Sequence, residues 1–126
     1  MHIPAMKGKI FVDSSKIINW IPEDPTGDIE GTKLAMDVME GLLEEQGLSS
    51  ILVDLTKSRR PNPLQRQIII NALQSNSHNI KKIALFGQTA LMKAVAHFVI
   101  NASGYERMKF FASRSQALQW LTHEIL

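Results

Sequence analysis

Apolar and polar positions fall along this chain in blocks whose period changes. Lys9-Ile10-Phe11-Val12 and Ile17-Ile18-Asn19-Trp20-Ile21 are short and rich in β-forming side chains, and Asp13-Ser14-Ser15-Lys16 between them has turn chemistry. The pattern predicts two strands in an antiparallel hairpin. After a loop at Glu23-Asp24-Pro25-Thr26-Gly27-Asp28 the period lengthens. Leu34, Val38 and Leu42 recur every four residues, with Ala35, Met39 and Leu43 alongside and Glu40, Glu44 and Glu45 turned outward. That is the broad stripe of an amphipathic helix. Gly47 suits the left-handed position that ends it.

Ile51-Leu52-Val53-Asp54-Leu55-Thr56 is too short for a helix and reads as a central strand. A second helix opens at Pro61-Asn62-Pro63-Leu64-Gln65. Asn62 can cap it, Pro63 fits the first turn, and Gln65 can reach back as in a capping box. Ile68, Ile69, Ala72 and Leu73 supply its buried face, and Gln74 to Asn79 is polar and turn-like. A strand at Lys82-Ile83-Ala84-Leu85-Phe86-Gly87 precedes a helix over about 89–102 that Gly104 ends. The last unit is a strand at Met108-Lys109-Phe110-Phe111-Ala112. The Ser113-Arg114-Ser115-Gln116 box then starts a helix that turns Ala117, Leu118, Leu121 and Ile125 inward.

The element order ββαβαβαβα spans residues 1–126 as a single expected domain. Each later crossover is about twenty residues and carries a helix, which implies parallel strands joined right-handedly. The expected fold is α/β, with a mixed, mainly parallel five-stranded sheet. Lys7, Lys9 and Lys109 fall at alternate strand positions, where a strand buried on both sides would avoid charge. The expectation is therefore helices mainly on one face.

Composition adds exclusions. With 126 residues and 44% hydrophobic side chains the chain can bury a real core. It has no cysteine, so a thiol nucleophile, an iron–sulfur cluster and a cysteine-based zinc site are excluded. The four histidines at 2, 78, 97 and 123 lack the spacing of a helical metal site. No Gly-x-Ser-x-Gly elbow is present. No catalytic residue, metal ligand or cofactor is therefore assigned. His97, on an apolar helix, reads as a hydrogen-bonded core or partner-facing residue. Asp54 reads as a carboxylate that ends its strand. Met1 to Met6 does not have the form of a secretory signal, and the longest uncharged apolar stretch, 94–105, is shorter than the about twenty residues a membrane span needs. A cytoplasmic protein with no transmembrane segment is the expectation.

The formal charge of +2 conceals an asymmetry. Residues 1–56 hold ten acidic and four basic side chains, a net of −6, and residues 57–126 hold ten basic and two acidic ones, a net of +8. Opposed patches of this kind can pair head to tail between copies, which makes a homodimer conceivable, or can hold an anion. The low overall charge and the lack of interleaved aromatic and basic residues argue against nucleic acid.

Three pieces of the chain resemble a known family. Ile51–Thr56 looks like the central strand of the SpoIIAA-like, or STAS-type, domains, and Lys82–Gly87 like their next strand. Phe111-Ala112-Ser113-Arg114-Ser115-Gln116-Ala117-Leu118-Gln119-Trp120-Leu121 is similar to the Phe-x-Ser-x-x-x-Ala-x-x-Trp-Leu ending of many small stand-alone members. The resemblance implies a binding or regulatory role without catalysis. In the antagonists of that family a serine in Asp-Ser-Ser/Thr-Gly after the central strand is phosphorylated. Here the loop reads Lys57-Ser58-Arg59-Arg60-Pro61-Asn62, so Ser58 is in place but the motif and its glycine are missing.

That loop is the candidate site. Ligands of open α/β sheets bind beyond the carboxyl ends of strands. A helix start adds free N–H groups and partial positive charge. Lys57, Ser58, Arg59 and Arg60, with Arg66 one turn into the helix, form an expected anion-binding set, since guanidinium groups grip phosphate or carboxylate. Gly87-Gln88-Thr89 also joins a strand to a helix but lacks a nucleotide-binding pattern. The leading reading is a non-enzymatic module that recognises a protein partner or an anionic small molecule. The alternative is a carrier of a lipid or apolar anion, because the wider family resembles lipid-carrier domains in fold. A carrier needs an apolar cavity of roughly several hundred Å³.

Overall fold

A computed structural model describes residues 8–23, 29–58, 62–87, 97, 100–101 and 107–123. The elements are β1 (Gly8–Val12), β2 (Ile18–Pro22), α1 (Ile29–Gln46), β3 (Ser49–Asp54), α2 (Pro63–Ser75), a 3-10 turn (Ser77–Asn79), β4 (Ile80–Phe86), β5 (Met108–Phe111) and α3 (Arg114–Thr122). His97, Ile100 and Asn101 are helical, within the segment where the sequence predicts a helix before β5. The rest of that helix, with Gly104 and Ile125, lies outside the described residues.

The hairpin is set by one carboxylate. Asp13 Oδ1 accepts from the Ser15 and Ile17 amides at 2.8 and 3.1 Å, which holds Lys16 in the left-handed region at φ 67°. Its other oxygen accepts from Asn19 Nδ2 at 3.0 Å. Gly47 ends α1 at φ 77°, and its amide donates to the Leu43 carbonyl at 2.8 Å. A side chain would be strained in that conformation.

The five strands lie side by side in chain order. β1 and β2 are antiparallel, and the other three pairs are parallel. Ile51, Leu52 and Val53 are all buried, as are Ile83 to Phe86, so β3 and β4 are covered on both sides. Alternate positions serve different layers. Ile51, Val53, Ile83 and Leu85 pack with Met36, Met39 and Leu43 of α1 and Ile70 and Leu73 of α2. Leu52, Ala84 and Phe86 pack with Ala117 and Leu121 of α3. The two long helices thus share one face, as expected of the majority, and the short last helix takes the other. Lys9 and Lys109 are the exposed positions of the α3 side at the two edges of the sheet.

Beneath α1 and α2 lies a cavity of about 40 Å³ whose wall includes Met36, Met39, Val53, Ala72, Leu85 and Met108. An apolar space of this size stays dry, because water there would find too few polar partners. On the opposite face, α3 is tied down at both ends. Ser113 Oγ accepts from the Gln116 amide at 3.3 Å, the forward half of the expected box. At the far end Lys82 Nζ donates to the Trp120 and His123 carbonyls at 2.9 and 3.1 Å. A cation suits a helix C-terminus, where the last carbonyls lack amide partners.

Candidate functional site

The loop after β3 is built by hydrogen bonds from both sides. Asp54 Oδ1 accepts from the amide at 2.9 Å and the hydroxyl of Thr56, which turns the chain out of the sheet. The carboxylate thus ends its strand, as expected of it. The Leu55 amide still reaches the Phe86 carbonyl at 2.9 Å, so the loop leaves from the middle of the sheet. Lys57 is exposed. Ser58 is partly buried, and its hydroxyl donates to the Pro22 carbonyl at 3.0 Å. This bond joins the loop to the end of β2.

The start of α2 follows. Asn62 Oδ1 accepts from the Gln65 amide at 2.8 Å, and Gln65 Oε1 accepts from the Asn62 amide at 2.9 Å. The expected capping box is complete. It also limits what the helix end can offer. Pro63 has no N–H, and the Gln65 and Arg66 amides go to Asn62. Among the described residues only the Leu64 amide of this first turn stays unused. Electrostatic attraction at this loop therefore has to come from side chains more than from the helix end. Arg66 is partly buried on that turn, and it has a partner of its own. Arg59 and Arg60 lie outside the described residues; of the expected set, Lys57 and Ser58 are placed in the loop after β3 and Arg66 near the start of α2.

Two features of this end escape a reading of the sequence. Leu64 is 57% exposed although it stands four residues before Ile68 and so falls on the apolar stripe. Gln65 is 7% exposed and uses its second group, Nε2, to donate to Thr32 Oγ1 of α1 at 3.1 Å. The cap thereby fixes α2 against α1.

The SpoIIAA-like family model matches residues 26–122, most of the chain and all of it from α1 to α3. The chain belongs to the SpoIIAA-like family. A search of curated proteins returns no match. The five-stranded α/β architecture is the one this family adopts. SpoIIAA-like domains are known as regulatory protein-interaction modules and are generally non-enzymatic. Ser58 lies in the loop after the central strand β3, where the sequence Lys57-Ser58-Arg59-Arg60 has no Asp-Ser-Ser/Thr-Gly motif.

Other sequence candidates are dispersed. His78, His97 and His123 are exposed. His97 is not a core residue; its ring stands 6.3 Å from that of Phe110. Among the described residues no three His, Asp or Glu side chains gather in a way that could hold a metal ion. No helix among the described residues is long and apolar enough to cross a membrane. Gln88 and Thr89 lie outside the described residues.

Proposed function

We propose that this SpoIIAA-like domain is a non-enzymatic recognition module of the cytoplasm, and that it docks an acidic protein partner or another anion through the β3–α2 loop. The observation that supports this reading is the sequence neighbourhood of exposed Lys57, which precedes the anchored Ser58 after β3, and exposed Leu64 in the first turn of α2 capped by Asn62. An exposed apolar side chain close in sequence to basic ones has the composition of a protein contact, in which a buried anchor is ringed by polar groups. Arg59 and Arg60 extend the same basic run.

The cavity under α1 and α2 is itself too small to carry a ligand. Its about 40 Å³ falls well short of the roughly 300 Å³ at which small-molecule pockets begin. The reading is tested by titrating the isotope-labelled protein with inorganic phosphate and, separately, with a glutamate-rich peptide. Amide shifts should concentrate at Lys57, Ser58 and Leu64 in at least one arm. The Lys57→Ala/Arg59→Ala/Arg60→Ala variant should bind at least about tenfold more weakly. Shifts confined to other surfaces, or unchanged affinity in the variant, would overturn it.

A further inference from the structure

The acidic side chains of α1 and the lysine of the edge strand β5 lie on opposite faces of the sheet. On α1, Glu30, Asp37, Glu40, Glu44 and Glu45 are exposed, with Lys33 the one base among them. Among the described residues Glu30, Asp37, Glu44 and Glu45 have no ion-pair partner. Across the sheet, on the α3 side, the edge strand β5 exposes Lys109, whose Nζ stands 5.9 Å from the Trp120 ring. Lys82 Nζ stands 4.9 Å from the same ring, and Phe111 lies against it at 5.5 Å. Partly exposed aromatic surface beside an exposed ammonium group is a favoured contact for another protein. Because the sheet stands between these two surfaces, they cannot neutralise each other within one chain.

We propose that the shelf formed by β5 and α3 around Lys109 and Trp120 receives the acidic face of α1 from a second copy of this chain. Asp37, Glu40 and Glu44 recur along α1 at about one per turn, or about 5.4 Å, a ladder that the long Lys109 side chain can meet without distortion. The near-zero net charge keeps whole copies from repelling one another. The contact is heterologous, because the surface used on one copy differs from that on the next. It therefore builds chains or rings rather than a two-fold dimer. This surface is separate from the β3–α2 loop, so either reading can fail alone.

Sedimentation velocity tests the proposal on the intact protein. At about 0.01 M salt, where charges act over about 30 Å, the mean mass should rise with protein concentration. At about 1 M salt it should fall to that of a monomer, a weakening of at least about tenfold. Lys109→Glu should be monomeric in both, and so should Asp37→Asn/Glu44→Gln/Glu45→Gln. All four changes are at exposed positions, so the fold should persist. Mixed together at low salt, the two variants keep one intact surface each and should form a one-to-one dimer and nothing larger. A wild-type monomer at low salt, a closed dimer that no variant disturbs, or a mixture that stays monomeric would each overturn the proposal.

Discussion

The face of the sheet under α1 and α2 and the face under α3 are drawn from alternate positions of the same strands, yet they are built on different scales. Among the described residues the first face gathers fourteen buried apolar side chains in one cluster, and the second gathers six. Among the described residues the first is covered by helices of 18 and 13 residues and by Ile100, and the second by a helix of 9. A long helix gains more from packing, although α2 is also bonded to α1 through Gln65 and Thr32. A short one gains less, and α3 is capped by Ser113 at its start and held to the sheet through Lys82 at its end. Where apolar area is scarce, directional polar contacts share the anchoring.

The sharpest way to break this comparison is to cut equal side chains from the two layers. Leu43→Ala, at a position 1% exposed in the larger cluster, should cost about 3–5 kcal/mol in urea unfolding. Leu121→Ala, 6% exposed under α3, should cost about 2–3 kcal/mol, since a nine-residue helix can settle into the space left. Equal losses, or a larger one at Leu121, would mean that the layers do not differ.

A middle-sized effect should come from the anchor itself. Lys82→Met keeps the stem over Trp120 but removes both bonds to the carbonyls, and should cost about 1–2 kcal/mol. Hydrogen exchange should then quicken along α3 while α1 keeps its protection. Uniform quickening would assign Lys82 to the core and not to the anchor.

The smallest effect has the opposite sign. Val53→Ile adds one methylene towards the cavity under α1 and α2 and should stabilise by about 0.5–1 kcal/mol. A lower midpoint in the same urea titration would show that this layer has no room to spare.

The two faces also explain how much of the fold could be read from the residues. β3 and β4 were legible because burial on both sides leaves an unbroken apolar run, Ile51 to Val53 and Ile83 to Phe86. The edges were legible because Lys9 and Lys109 break that pattern. The start of β4 was not. The strand begins at Ile80, and a register shift between the pairs Ser49–Ile80 and Ile51–Ile83 inserts an extra residue near Lys81 and Lys82. Such a bulge upsets the period of two on which strand recognition depends.

The candidate site was half legible for a similar reason. Asn62, Pro63 and Gln65 announce a helix start through contacts three residues apart. The bond from Ser58 to Pro22 spans 36 residues, and that from Gln65 to Thr32 spans 33. No local pattern encodes partners so distant. Asn19 shows the same limit. It sits in an apolar run, is 1% exposed, and its Oδ1 has no donor among the described residues. A buried carbonyl left without a donor is a cost that periodicity cannot foresee.

The side-by-side order of the strands bears on how the protein is made. Each new strand–helix unit joins the open edge left by the one before it, and none has to be inserted between strands already paired. A chain leaving the ribosome could lay down its hairpin first and then extend the sheet in the direction of synthesis. Assembly would end when the last helix closes over strands that have long been waiting for it.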